Sequence, residues 1–281
     1  MIKILFWNVR GVCSPKFLQN LKLACRKSHP GMILLTETKS EDEGCFRCLL
    51  SLGFDEIVVV SSLGRSGGIV AAWQKNEIDA QLARKDRQFL QFQCKITEAN
   101  PFMLTAIYAH PSYSLKQELW GILEDMAPSI SLLWVLIGDF NDIGPLSKKV
   151  GGLDGNEARI KLFNDRGQRC ALSDIGYQGP KFTWRGPKLR GCRRLYERLD
   201  RALVNEAFLM EHSDWELQVL PRINFSDHNP ICLAFGASTA VNRVNLPFRF
   251  EAMWGKHEAF KEFLSDAWGF KGDIHSSLDK L

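Results

Sequence analysis

Residues 132–141 read LLWVLIGDFN, an apolar run that ends in polar groups. The residues before Gly138 are all apolar, as expected for a central strand that is buried on both faces. Asp139 and Asn141 follow at the point where this strand gives way to a loop. Catalytic groups concentrate at such junctions, because the rigid strand holds them in place while the loop leaves them accessible. The stretch therefore predicts a central strand with chemistry at its carboxyl end.

Further apolar segments of strand length lie on both sides of this run. The predicted strands are residues 1–9, 31–36, 57–60, 69–73, 90–96, 102–108, 182–184, 199–204, 215–220 and 231–235. Helical spacing predicts helices around residues 18–25, 115–126 and 158–170. Strands outnumber helices, so a doubly wound parallel sheet fits the pattern poorly. We predict an α/β fold of two sheets packed face to face, with helices on the outside.

The composition is that of an ordinary globular protein, with 45% hydrophobic and 24% charged residues among 281. It excludes a disordered chain, a collagen and a coiled coil. The formal net charge is only +4, but residues 181–201 hold eight Lys and Arg residues against two acidic ones. A cationic segment on a near-neutral body suits a polyanion such as nucleic acid, although a solvated loop that keeps the protein soluble has the same composition.

Signals for export or for a membrane are missing from the sequence. The apolar run at the start is too short for a signal peptide. The longest apolar run, residues 132–137, is far shorter than the roughly 20 residues of a membrane-spanning helix. The eight cysteines are scattered, and only Cys45 and Cys48 are closely spaced, which argues against a zinc site. We expect an intracellular protein without membrane association or small-molecule cofactor.

Polar residues recur wherever a predicted strand stops or is about to start. They are Asn8, Glu37, Tyr108, His110, Asp139, Asn141, Asp200, Asp227 and His228. Taken singly, such residues are also turn formers, first-turn helix acids or buried histidines with satisfied hydrogen bonds. Their recurrence favours a common site.

Hydrolysis of a phosphate ester is the chemistry that these groups suit. A carboxylate such as Glu37 binds a hard cation, which offsets the charge of the scissile phosphate. His228, oriented by Asp200, can donate to a phosphate oxygen, and Asp139 can take a proton from the attacking water with Asn141 fixing its geometry. The sequence has no phosphate-binding Gly-x-x-x-x-Gly-Lys-Ser/Thr loop and no serine nucleophile elbow.

Seven short motifs carry a resemblance to a known family. In chain order they are WNVRG (7–11), LTETK (35–39), IYAHP (107–111), GDFNDI (138–143), FTW (182–184), ERLDR (197–201) and SDHNPI (226–231). This ordered set resembles the endonuclease/exonuclease/phosphatase superfamily. Within it, the chain is especially similar to the endonuclease domain of plant non-LTR (LINE-type) retrotransposons, which itself resembles abasic-site endonucleases.

The resemblance implies a four-layer α/β/β/α sandwich of two mixed sheets flanked by helices, with a DNA endonuclease site at one rim. The enzyme would use Mg²⁺ or Mn²⁺, nick one strand of DNA in the nucleus and leave a 3′-hydroxyl that primes reverse transcription. The implied metal group is Glu37 with Asn8 and Asp227. The implied catalytic residues are Tyr108 beside the scissile phosphate, Asp139 and Asn141 at the water, and His228 with Asp200 behind it.

The same resemblance divides the chain. Residues 1–236 form the catalytic domain, and residues 237–281 are a linker and helical tail similar to the segment that precedes a reverse transcriptase. The polymerase is absent, so we expect a fragment that was originally fused to one.

Two positions depart from the abasic-site enzymes. Arg10 stands where those enzymes carry an Asp, and Pro111 stands where they carry an Asn. These departures argue against efficient abasic-site repair and against a second metal ion, and they suggest that Arg10 contacts phosphate. The predicted DNA-binding residues are therefore Arg10 and a basic hairpin tip with Lys188, Arg190, Arg193 and Arg194.

Two other functions remain open. One is a superfamily phosphoesterase that acts on lipid, inositol phosphate or RNA. The other is a decayed copy that binds nucleic acid without cleaving it.

Overall fold

The computed structural model describes residues 2–235, except residues 15, 42, 65, 97–99, 153–156, 189, 192, 212–214 and 224. The predicted linker and tail helix at 237–281 lie outside the described residues, so that domain assignment stays a prediction.

The described part of the chain folds into short strands with helices between them. The strands are β1 (Ile2–Asn8), β2 (Met32–Thr36), β3 (Glu56–Val60), β4 (Ile69–Trp73), β5 (Asp79–Lys85), β6 (Phe89–Lys95), β7 (Phe102–Tyr108), β8 (Leu133–Asp139), β9 (Lys149–Val150), β10 (Leu172–Asp174), β11 (Trp184–Arg185), β12 (Tyr196–Glu197), β13 (Asp200–Asn205), β14 (Glu216–Val219) and β15 (Ile231–Phe235). The α-helices are α1 (Lys16–Ser28), α2 (Tyr113–Met126), α3 (Glu157–Arg169) and α4 (Glu206–Glu211), and 3-10 turns span Glu43–Leu52, Ala127–Ser129 and Leu146–Lys148.

Two six-stranded sheets make up the centre of the fold. The first has the order β14-β15-β1-β2-β4-β3, and the second has the order β10-β13-β8-β7-β6-β5. Each sheet is mixed, because β1 pairs with β2 and β7 pairs with β8 in parallel while the other neighbours are antiparallel. A small third sheet joins β11, β12 and β9.

Three apolar clusters hold the layers together. The largest one lies between the sheets and draws on both, for example Phe6 from β1 and Val135 from β8. A second cluster covers the outer face of the first sheet and includes Leu21 of α1, and a third includes Trp120 of α2 on the outer face of the second sheet. The predicted sandwich of two mixed sheets flanked by helices is confirmed.

The predicted strands differ from the observed ones where burial is low. The segment at β5 was not predicted, because most of its side chains are exposed and it shows no apolar alternation. The predicted strand at 182–184 is reduced to the two residues of β11. Among the described residues, no helix combines the length and the apolar composition that a membrane crossing requires.

The strand order brings distant parts of the chain to one rim. The parallel strands β1 and β2 end there together, and so do β7 and β8. The antiparallel strand β13 starts at this rim, with Asp200 directly opposite Asp139 at the end of β8. Likewise β15 starts beside the end of β1, where Ile231 lies opposite Phe6.

Candidate active site

Strand register builds the core of the site in the second sheet. Tyr108 lies opposite Asp139 across the parallel pair β7 and β8, and Asp200 lies opposite Asp139 on the other side. Asp139 and Asp200 are completely buried. Three neighbouring strands therefore place a phenol and two carboxylates in a row at the rim.

Asn8 connects this row to the first sheet. Its buried side-chain amide donates to Asp139 Oδ2 at 2.9 Å and lies 3.3 Å from Glu37 Oε1. The hydroxyl of Tyr108 donates to the same Glu37 oxygen at 3.2 Å. Residues that the sequence placed at four separate strand ends are thus in direct contact across the two sheets.

Three residues of the site have left-handed backbone conformations. The φ angles are 50° at Arg10, 51° at Glu37 and 47° at Asn141. Such φ angles are uncommon outside glycine and cluster at functional sites. At Asn141 the turn aims the backbone N–H at Asp139 Oδ1, 2.9 Å away, while its side chain donates to the carbonyl of Ala109 at 2.8 Å. The loop after β8 therefore folds back onto Asp139 and fixes it.

His228 and Asp200 form a buried pair beside Asp139. The ring Nδ1 of His228 lies 2.9 Å from Asp200 Oδ2, and its Nε2 lies 3.9 Å from Asp139 Oδ2. The Ser226 hydroxyl accepts the backbone N–H of His228, and Thr183 Oγ1 accepts the backbone N–H of Asp200. With Nδ1 donating to Asp200, the ring directs Nε2 towards the space beside Asp139.

The electrostatics of this pair favour a protonated imidazole. Burial lowers the pKa of His228, but the carboxylates of Asp200 and Asp139 outweigh burial and raise the pKa to about 9. Burial and the neighbouring charge of Asp200 raise the pKa of Asp139. Burial and the charge of Glu37 raise the pKa of Tyr108, so its phenol remains a donor. The site thus combines a proton donor with a carboxylate of increased basicity.

Two separate groups of side chains at the rim could hold a metal ion. Among the described residues, Asp139, Asp200 and His228 have ligand atoms within 4.8 Å of one another. Because Nδ1 of His228 is engaged with Asp200 and the neighbouring carboxylates raise the pKa of the ring, His228 is better suited to be a donor than a ligand. The predicted group is Glu37, Asn8 and Asp227, and carboxylate and amide oxygens are the ligands that Mg²⁺ and Mn²⁺ prefer. In this structure the amide nitrogen of Asn8 faces Glu37, and its oxygen accepts the N–H of Arg10.

The oxygens of this second group are consistent with a hard cation. Asp227 Oδ1 is buried and accepts no hydrogen bond from the described residues, so it has a lone pair to spare. Glu37 is partly exposed at the rim, and Lys39 approaches its Oε2 at 3.2 Å. The donor set therefore fits a divalent cation at Glu37, with Arg10 as a competing cation beside it.

The structure places the basic hairpin next to the site. Strands β11 and β12 pair through Trp184 and Glu197, so Lys188, Arg190, Arg193 and Arg194 lie on the loop between them. At the base of this loop, the Trp184 indole donates to Asp227 Oδ2 at 2.9 Å, and its backbone bridges to that of His228. Lys188, Arg190 and Arg193 are exposed, and Arg194 is half-buried against the carbonyl of Gly186.

Lys116 stabilises the loop that follows β8, a role that the sequence pattern did not predict. In the helix predicted around residues 115–126, Leu115 is exposed and Lys116 is buried. Its ammonium donates to the carbonyl of Asn141 at 2.9 Å and to Asp142 Oδ2 at 2.8 Å. A lysine at helical spacing from Leu119 and Leu123 was the signal available. The ring Nδ1 of His110 accepts the N–H of Ser112 at 2.9 Å.

Two packed mixed sheets flanked by helices, with a buried His–Asp pair facing a carboxylate at one rim, define an α/β-sandwich fold with a candidate active site. The chain matches the model of the Endonuclease/Exonuclease/phosphatase family over residues 5–228, and it belongs to that family. It has the fold that this family uses for phosphodiesterases and nucleases.

Solved structures agree with this assignment at the level of the fold. An AP endonuclease from Archaeoglobus fulgidus is 16% identical, covers 84% of this chain and 99% of its own, and has a TM-score of 0.62. The endonuclease domain of TRAS1, a telomere-specific non-LTR retrotransposon, is 15% identical with coverages of 85% and 100% and a TM-score of 0.59. The 3′ phosphatase NExo from Neisseria, bound to a product DNA hairpin, is 18% identical with coverages of 84% and 100% and a TM-score of 0.61. No curated protein matches the chain.

Proposed function

We propose that this protein is a metal-dependent DNA endonuclease that nicks one strand and leaves a 3′-hydroxyl. The observation that carries the proposal is the buried Asp200–His228 pair, whose Nε2 faces Asp139 across 3.9 Å at the rim where both sheets contribute polar groups. A proton donor and a proton acceptor side by side suit in-line hydrolysis of a phosphodiester.

Each residue has a task in this reaction. Asp139, held by Asn8 and by the N–H of Asn141, accepts the proton of the attacking water. His228 donates a hydrogen bond from Nε2 to a phosphate oxygen, and Asp200 orients the ring. The water oxygen bonds to phosphorus, the P–O3′ bond breaks, and the leaving 3′-oxygen takes a proton from solvent to become the 3′-hydroxyl. Tyr108 presents its hydroxyl beside the phosphate.

The proposed metal ligands are Glu37, Asn8 and Asp227. A bound Mg²⁺ or Mn²⁺ would offset the negative charge that grows on the phosphate during cleavage. The carboxylate and amide oxygens of the set support this assignment.

DNA is the proposed substrate, and a non-LTR retrotransposon is the proposed origin. The cationic loop beside the site supports a polyanionic substrate. The ordered motifs and the tail resembling the segment before a reverse transcriptase support the origin and a former fusion to that polymerase. Cleavage of chromosomal DNA would take place in the nucleus.

A nicking assay tests the activity. Supercoiled plasmid is incubated with Mg²⁺ and either the unaltered chain, His228→Ala, Asp139→Ala or the control Arg26→Gln, which changes an exposed residue of α1. We expect nicking by the unaltered chain and the control, and a loss of at least about 100-fold in both site variants. A DNA polymerase that extends the nick would identify the 3′-hydroxyl. Equal activity of all four proteins would refute the proposal, and activity confined to lipid, inositol phosphate or RNA would replace it.

The basic loop is tested by salt dependence. Neutralising Lys188, Arg190, Arg193 and Arg194 should weaken DNA binding and reduce the slope of log K against log salt by about 0.9 for each phosphate that the loop no longer neutralises. The matched control neutralises four exposed basic residues elsewhere, namely Lys22, Arg26, Lys27 and Lys75. An equal change of the salt slope in both variants would mean that the loop contributes only to the overall charge and makes no particular contact with DNA.

A further inference from the structure

Arg10 joins two carboxylates of the proposed metal group. Its guanidinium forms an ion pair with Asp227 Oδ2 through one terminal nitrogen, and its Nε lies 3.7 Å from Glu37 Oε2. The Arg10 side chain is about half exposed, at 48%, whereas those of Glu37 and Asp227 are 14% and 18% exposed. The guanidinium therefore covers the carboxylates from the solvent side.

The backbone holds Arg10 in this position. Its φ of 50° is left-handed, and its N–H donates to Asn8 Oδ1 at 3.2 Å. Trp184 also donates to Asp227 Oδ2, so that oxygen already has two donors. The arginine is thus held at the end of β1 by the same asparagine that contacts Glu37 and Asp139.

A fixed positive charge between two carboxylates opposes the binding of a second cation there. The guanidinium neutralises the negative charge that would attract a divalent ion, and it uses oxygen lone pairs that would ligate one. A metal ion at Glu37 therefore has to bind against the repulsion of Arg10, whose Nε lies 3.7 Å from Glu37 Oε2.

We propose that Arg10 is an internal counter-ion that competes with the divalent cation for Glu37 and Asp227, and that metal binding frees its guanidinium to contact a DNA phosphate. This inference rests on the proposed function in taking Glu37 and Asp227 as metal ligands and DNA as the substrate. Its consequence is weak metal binding in the absence of DNA, together with positive coupling between metal and DNA.

The test measures Mn²⁺ binding to DNA-free protein by the EPR signal of free Mn²⁺. Arg10→Gly and Arg10→Asn both tolerate a left-handed backbone, and only Asn offers a new oxygen. We expect both variants to bind Mn²⁺ about tenfold more tightly than the unaltered chain, because a charge a few Å away is removed. Arg10→Lys keeps the positive charge but lacks the planar guanidinium. Its Mn²⁺ affinity should lie between that of the unaltered chain and that of the other two variants.

Thermal unfolding gives a second readout. Without metal, Arg10→Gly should melt below the unaltered chain, because Glu37 and Asp227 lose their counter-ion. With saturating Mn²⁺ the variant should gain more in melting temperature than the unaltered chain does. Lys39→Met removes a cation that contacts Glu37, 3.2 Å away, whereas Arg10 contacts both Glu37 and Asp227. The Lys39 variant relieves the competition at one carboxylate only and should change the affinity less.

Unchanged or weaker Mn²⁺ binding in both Arg10→Gly and Arg10→Asn would overturn the proposal, as would an equal gain in Lys39→Met. Nicking by the unaltered chain alongside that result would leave the endonuclease function intact and remove only the role of Arg10. Absence of Mn²⁺ binding in every variant, without nicking, would overturn both.

Discussion

The loop that carries Asn141 is held from behind by two cations, and the effect of removing them can be predicted quantitatively. Lys116 is buried and donates to the carbonyl of Asn141 and to Asp142. Arg159, which is half exposed, donates to the same carbonyl at 2.6 Å and forms an ion pair with the other oxygen of Asp142. Both cations therefore bind both acceptors, the carbonyl of Asn141 and the carboxylate of Asp142, and either cation alone still contacts the two.

This redundancy sets the magnitude of each change. Breaking an isolated buried ion pair costs about 3–5 kcal/mol, because a buried charge is left without a partner. In Lys116→Met, Arg159 still binds Asp142 and the carbonyl of Asn141. We therefore expect the free energy of unfolding to fall by about 2 kcal/mol, the value of one charge-assisted hydrogen bond. In Arg159→Met the side chain that is removed is half exposed, so we expect the free energy of unfolding to fall by only about 1 kcal/mol.

The double variant should be more than additive. With both cations gone, the buried carboxylate of Asp142 has neither of its side-chain ion pairs, and we expect a total loss of about 5 kcal/mol. The coupling free energy would then be about 2 kcal/mol, well outside the error of a double-mutant cycle.

Urea unfolding of the metal-free chain at pH 7 measures these values. Lys22→Met, an exposed residue on α1, is the control and should change stability by less than about 0.5 kcal/mol. If the stability losses of the two single variants add up to the loss of the double variant within about 0.5 kcal/mol, the two cations do not substitute for each other, and the prediction is refuted.

Two further predictions concern the strands themselves. Asp200→Asn removes the charge that most raises the pKa of His228, which lies at about 9 in the unaltered chain. The pKa should therefore fall, and the decline of nicking with rising pH should begin at a lower pH than in the unaltered chain; an unchanged pH–rate profile would contradict this. Gly138→Ala would place a Cβ 2.1 Å from the carbonyl oxygen of Ile107 and 2.7 Å from its Cβ, so β7 and β8 must separate, and urea unfolding should show a loss of about 3 kcal/mol.

Much of the fold was predictable, because buried strands leave an apolar pattern in the sequence. The run before Gly138 is apolar throughout, and the strand it predicts, β8, is buried along its whole length. The exposed edge strand β5 follows no such pattern, since its neighbours in the sheet rather than its own burial make it a strand.

The site was predictable as a set of residues but not as a set of contacts. Position at a strand end marked Asn8, Glu37, Asp139 and the others, since strands and loops are local features. The contact between Asn8 and Asp139 joins residues 131 positions apart, and only the packing of two sheets determines it. For the same reason, the bridge that Arg10 forms between Glu37 and Asp227 had no local signal.

Two carboxylates buried on adjacent strands reduce the stability of the fold, so their presence argues that they serve a chemical function. Asp139 and Asp200 lie opposite each other and are completely buried, so their charges repel in a region of low polarity. His228 between them and the amide of Asn8 offset part of that cost. A fold selected for stability alone would place apolar residues at both positions, as it does along the rest of β8. Such a local conflict in an otherwise consistent sheet is expected where side chains must act on a ligand. The conflict lies at the rim, where polar groups from both sheets converge on the pair.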